Sequence, residues 1–183
     1  MRKVLFLLGE INDSDIEWMV EVGKKRVFPA GEVLIHEGKP FDAIFIVLDG
    51  TLSVEVAALG NKEINRLGSG EIVGEMSFID DRPPSATVRA LERSTVFAVP
   101  RPDLADRLDA EPAFAARFYR ALCLFLSDRL RSSVALMGYE GDRDLEMDVE
   151  YEDELNPGVL DSIHLAGSRF DGMLKRLMGA DVK

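Results

Sequence analysis

Residues 67–90, LGSGEIVGEMSFIDDRPPSATVRA, decide how the whole chain is read. Gly68, Gly70 and Gly74 interrupt the run at short intervals, with segments of strand-like composition on either side of a turn-rich middle. Gly74 lets the backbone come close to a bound group, and the EMSF that follows opens a helical turn whose free amides favour an anion. Pro83 and Pro84 then hold the chain rigid before the next strand. The stretch therefore begins as a loop for wrapping an anion and closes on two prolines.

Outward from this stretch the same punctuation continues. Gly31, Gly38, Gly50 and Gly60 separate EVLIHEG, AIFIVLDG and TLSVEVAAL, and the pattern resumes in SATVRALERS and STVFAVPR. Strands this short and evenly spaced predict a mainly β domain, an antiparallel jelly-roll barrel over about 26–101. On its N-terminal side, MRKVLFLLGEIND is too short and too soon acidic for a signal peptide, and reads as a helix or coil packed on the domain. Residues 13–25 place Ile16, Met19, Val20 and Val22 near helical spacing.

After Arg101 the period becomes helical. Pro102 opens a short helix carrying Leu104 and Leu108, and a long helix over about 112–138 carries Phe114, Phe118, Leu122, Leu124, Phe125 and Leu130. That apolar face is broader than one barrel requires, so the helix is expected to pack on two sides, one of them a partner chain or a second copy along Ala113–Met137. The expected organisation is a domain over 1–138, an acidic linker over 139–158 and a helical segment over 159–183.

A net charge of −11 argues against a nucleic-acid or anionic-membrane partner, since both require a cationic face. Cys123 is the sole cysteine, which excludes an intramolecular disulfide and fits a reducing, cytoplasmic setting; on the apolar helix face it reads as a buried, inert thiol. His36 and His164 have no convergent ligands at metal spacing, and the acidic run Glu140–Glu154 lacks the mid-loop glycine of a calcium loop. Gly68–Gly70 lacks the strand, helix and lysine of a phosphate loop and reads as a hairpin turn. No catalytic set and no metal site emerge.

These residues together resemble the cyclic nucleotide-binding domain, the sensor of the catabolite activator protein and of kinase regulatory subunits. The resemblance runs from about Leu5 to about Met137 and is carried by residues 28–54, 67–79 and 85–90. It implies a phosphate-binding cassette built on Gly74, Glu75, Met76 and Ser77, with Glu75 accepting from a ribose hydroxyl and Ser85 and Ala86 donating to a cyclic phosphate. It also implies a base contact from Ser132 or Ser133 on the long helix, and cAMP or cGMP as ligand.

The departure is at Pro84, where the resemblance implies an arginine. Arg82, two residues earlier, is a candidate replacement cation, although the prolines restrict its swing; Arg89 reads as a surface cation. The expected function is a regulatory sensor module with a weakened or altered cassette. The alternative is a ligand-free interaction or oligomerisation module on the same fold. A DNA-binding regulator is disfavoured, because the segment after the long helix is acidic where basic residues would be needed.

Overall fold

The computed structural model of the 183-residue chain describes residues 4–141 and 157–179. Two helices, α1 (Val4–Glu10) and α2 (Asp13–Val22), precede the strands β1 (Lys24–Phe28), β2 (Val33–Ile35), β3 (Ala43–Asp49), β4 (Leu52–Val56), β5 (Lys62–Leu67) and β6 (Ile72–Val73). A short helix, α3 (Glu75–Asp80), leads into β7 (Thr87–Ala90) and β8 (Ser94–Pro100), and the helices α4 (Arg101–Ala110), α5 (Pro112–Gly141) and α6 (Pro157–Met178) follow. Of the linker expected over 139–158, residues 142–156 lie outside the described residues, and its flanks belong to α5 and α6. Most of the run Glu140–Glu154 lies outside them as well.

The strands form two four-stranded antiparallel sheets, ordered β1-β8-β3-β6 and β2-β7-β4-β5. This is the predicted jelly roll, with the two sheets facing each other rather than joined edge to edge as a closed barrel. β1 is an addition to the sequence reading: Lys24, Lys25 and Arg26 look like a helix end, yet they pair with Ala98, Phe97 and Val96 in turn along the sheet's edge. Charged residues are at home on an edge strand, where one side faces water.

Why helices cover only one of the sheets is written in β3. Ala43, Phe45 and Val47 point into the space between the sheets and pack with Phe28, Leu52, Val54, Val88 and Val96. Ile44, Ile46 and Leu48 point the other way, into a second core with Phe97, Val99 and the helices. A strand buried on both faces has no polar alternation, hence the unbroken AIFIVL. On the helical side, α5 supplies Phe114, Phe118, Ala121, Leu122 and Phe125, all fully or nearly fully buried. Their spacing of three and four makes one stripe.

Helix α6 docks on its own domain. Ala166, Phe170, Met173 and Leu174 are buried in the same core as Val4, Leu7 and Leu8 of α1. Arg169 donates to the carbonyls of Leu8 (2.7 Å) and Ile11 (2.9 Å) at the end of α1 and pairs with Asp13. Those carbonyls are orphan acceptors of a helix C-terminus, and a guanidinium satisfies them.

A buried carboxylate joins the helices. Asp15, 1% exposed, accepts from Arg107 of α4 at 3.1 Å and from Arg117 of α5 at 3.0 and 2.9 Å, and its side chain also closes the capping box of α2 with Asn12. Arg107 lies against the rings of Trp18 and Phe114, 4.5 Å from each centroid. Removing one member of such a buried pairing strands the others. Asp15→Ala is therefore expected to lower stability by roughly 3 kcal/mol in urea unfolding, whereas Asp13→Ala on exposed Asp13 should cost about 1 kcal/mol or less; equal effects would contradict the clamp.

Candidate functional site

The quoted stretch folds as a strand, a helical turn and a strand. Gly74 sits between β6 and α3 with φ +92, a left-handed conformation that side chains resist. A Cβ there would also meet the Phe41 ring at 2.6 Å. Gly74 is thus required twice over, by its backbone angle and by the closeness of Phe41.

Beyond it, α3 turns Glu75 and Ser77 inward, at 2% and 7% exposure, and leaves Met76 and Ile79 facing solvent. Phe78 packs edge-on against Phe118 of α5. Arg101, at the start of α4, donates to the carbonyl of Ser77 at 2.8 Å, pairs with Asp81 and lies over the rings of Phe41 and Phe78. The turn is accordingly held from both α4 and α5.

An open cavity of about 100 Å3 lies between this turn and the inner face of the second sheet. Ile35, Phe41, Val54, Leu67, Val73 and Val88 form its apolar floor and walls. Gly74, Glu75, Met76, Ser77, Ser85 and Ala86 all line it, as does Pro84. Ser85 is exposed at the rim and Ala86 packs against the inter-sheet core.

Arg82 is not among the lining residues. Its side chain, 84% exposed, lies near the carboxylate of Asp80, whose oxygen also accepts from the Arg82 backbone N–H. The replacement cation expected from the sequence therefore faces water, because Asp80 and the following prolines turn it outward. Pro84 itself is tied down: its carbonyl accepts from the N–H of Gly38 at 2.9 Å. The side chains of Ser132 and Ser133 lie outside those described, so the base contact expected there has no described geometry.

One residue of the site was not found from the sequence. Arg129 of α5 reaches into the cavity and donates to Glu75 Oε1 at 2.7 Å. The pair is 54 residues apart, and no local motif links them. A signal existed nevertheless: Arg129 follows Phe125 by four positions and so continues the buried stripe of α5, where an arginine needs a reason. The Glu75 carboxyl is held above its ordinary value of 4.5 by burial, with Arg129 opposing that shift and Glu71 adding to it.

Two further expectations change. Arg89 is no simple surface cation: from the inner strand β7 it bonds Glu55 of β4 at 3.2 Å and the Gly31 carbonyl before β2 at 2.9 Å, tying the second sheet across its strands. Cys123 is exposed rather than buried, since it falls on the side of α5 opposite the core stripe. Among the described residues, no group of three or more His, Cys, Asp or Glu is placed to hold a metal, and no helix is long and apolar enough to cross a membrane.

Residues 25–111 match the family model described as cyclic nucleotide-binding domain. An uncharacterised NTE family protein of Mycobacterium tuberculosis is 32% identical over 120 residues, 66% of this chain and 20% of that protein. The cyclic AMP receptor protein of Thermus thermophilus is 27% identical over 138 residues, 74% of this chain and 57% of that one. The chain thus spans about a fifth of the NTE relative and little more than half of the receptor. Among solved structures, a cyclic nucleotide-binding domain from Methylobacillus flagellatus superposes with a TM-score of 0.68 at 22% identity, covering 78% of this chain and 85% of its own. At that identity the likeness establishes the fold.

The raised Glu75 carboxyl has a consequence for stability. The native state holds this proton to higher pH than the unfolded chain does, so the group's contribution is fully present below about pH 4.5 and is lost as pH rises through the folded value. Urea midpoints for wild type and Glu75→Gln are expected to diverge accordingly, the wild type losing ground from pH 4.5 upward. A difference that is flat with pH would show that the carboxyl titrates normally.

Proposed function

We propose, from the match of residues 25–111 to the cyclic nucleotide-binding domain family, that the chain is a regulatory small-molecule-binding module of that family with an altered phosphate-binding cassette. The observation that carries this reading is the cavity shared by the Gly74–Ser77 turn, the Ser85–Ala86 rim and Arg129 of α5. One small site is built from the turn, the inner sheet and the helix that leads out of the domain. A ligand that favours one arrangement of that helix shifts its population.

In this reading Glu75 accepts from a ligand hydroxyl, and Ser85 with the Ala86 backbone meets an anionic group. Gly74, Met76 and Ser77 shape the wall, and Ser133, on α5 in sequence, keeps its proposed role as a base contact. The ligand is a cyclic nucleotide, cAMP or cGMP; the name of the Thermus relative, a cyclic AMP receptor protein, supports that class. The cavity's titratable groups, Glu75 and Arg129, are bonded to each other, which suits binding better than catalysis. The charge of −11 supports a module that touches neither nucleic acid nor membrane, and the single cysteine supports a cytoplasmic setting.

Pro84 weakens the site, because a charge-assisted hydrogen bond contributes about 1.5–3 kcal/mol. Calorimetry with cAMP and cGMP is therefore expected to find binding by the wild-type chain that Pro84→Arg tightens by roughly ten- to a hundredfold. No heat and no thermal shift from either chain at millimolar nucleotide would remove the nucleotide reading.

A second reading rests on α5. Tyr119, Cys123, Leu130 and Val134 are exposed along it, with Leu126 partly covered between them, a stripe at three-four spacing on the side of the helix away from the buried one. That face supports self-association or docking of another protein, as an alternative to ligand sensing. Light scattering should show an oligomer that Leu130→Arg dissociates, and a monomer at every concentration would count against it.

A further inference from the structure

Resting on the sensing reading, a question of charge arises within the cavity. Most of its lining is apolar, and Arg129 is the one cationic side chain among the residues that form it. The other cations near the turn are directed elsewhere. Arg101 serves the Ser77 carbonyl and Asp81 from behind the turn, and Arg82 faces water beside Asp80. Pro84, on the rim, contributes no charge and no N–H.

The cavity's size adds a second constraint. At about 100 Å3 it is smaller than the roughly 300–1,000 Å3 of a typical small-molecule site. Arg129 is part of what fills it, with its side chain 25% exposed and bonded to a carboxylate that is 2% exposed. A ligand in this cavity contacts that ion pair as well as the apolar wall. To separate the pair without stranding Glu75, the ligand must bring a donor for the carboxylate. The guanidinium, drawn from Glu75, is then placed to take an anionic group of the same ligand.

We propose that Arg129 is the anion-recognising residue of this pocket, so that it takes ligands carrying a hydroxyl and a phosphate together and inserts them between Glu75 and Arg129. The cation that recognises the phosphate then resides on α5 rather than on the turn. Ligand capture and a change in the hold on α5 become a single event, since the same guanidinium serves both.

The test compares cAMP with adenosine, which has the hydroxyls but no phosphate, by calorimetry on the full chain. The variants are Arg129→Gln, Pro84→Arg and the two combined, each checked for fold by circular dichroism. Arg129→Gln is expected to weaken cAMP by about tenfold or more while changing adenosine by less than about threefold. In the Pro84→Arg background the same substitution should cost much less, because a second cation is then present. Arg129→Lys, which keeps the charge and loses the fork, should retain part of the cAMP affinity and guards against a glutamine variant that does not fold.

Equal or tighter cAMP binding by Arg129→Gln would overturn the proposal, making Arg129 a plug rather than a receptor, and would leave the sensing reading standing. Wild-type chain that takes neither ligand would instead remove the sensing reading, and this proposal with it.

Discussion

Every side chain of β3 from Ala43 to Leu48 is buried, alternately toward the facing sheet and toward the helices. That two-sided burial is the constraint from which the rest of the architecture follows. The first sheet must be covered by helices on its outer face, while the second has one face free for water, as the mostly exposed β5 illustrates. Burial of a large aliphatic or aromatic side chain is worth about 1.5–3 kcal/mol, so exposing Ile44, Ile46 and Leu48 together would cost a large share of a domain's net stability. The helices are therefore part of the domain's core and not an accessory to it.

This obligation also explains why α5 passes the turn that bears the site. It must lay Phe114, Phe118, Leu122 and Phe125 on the first sheet, and in doing so it runs past α3, where Phe78 meets Phe118. One turn beyond Phe125 the apolar stripe ends in Arg129, opposite Glu75. A carboxylate 2% exposed is costly to keep ionised without a partner. The guanidinium offsets that cost, and in exchange the buried carboxylate fixes where this part of α5 lies. Arg101 adds a second tie, from α4 to the carbonyl of Ser77. The turn is thus gripped by both helices that follow the strands.

Much of this was legible in the chain itself because it depends on local rules. Gly74 and its EMSF continuation specify a positive φ followed by a helical turn. AIFIVL specifies a strand without a polar face, and the spacing of the α5 phenylalanines specifies its core stripe. What escaped the reading was non-local or a matter of phase. Arg129 and Glu75 are neighbours only after β7, β8 and α4, which lie between their helices in the chain, have been folded into place. Cys123 was assigned to the wrong side of α5, because a face defined broadly by Phe114 through Leu130 does not separate the buried stripe from the exposed one on the far side. β1 was hidden by its charges, which suit an edge strand as well as a helix end. Arg82 was a question of direction: Asp80 lies two residues before it, and the pair closes locally over the surface.

The two readings of the protein, sensing and association, meet on the same segment of α5. Arg129 faces the cavity, while Leu130 next to it and Val134 one turn further on face solvent at 64% and 56% exposure. A helix is stiff over one turn, so whatever orients Arg129 orients these apolar side chains with it. With Arg129 bonded to Glu75, that orientation is set by a buried ion pair whose carboxylate cannot cheaply be left alone. In the sensing reading, a group that takes over Glu75 removes that bond from Arg129, and the presentation of Leu130 and Val134 would change with it. Pro84 matters in this setting for more than the charge it lacks. With its carbonyl held by Gly38 and its φ fixed by the ring, it keeps the rim of the cavity rigid. Between a rigid rim and a sheet buried on both faces, the sensing reading leaves the part of α5 around Arg129 as the element that would respond.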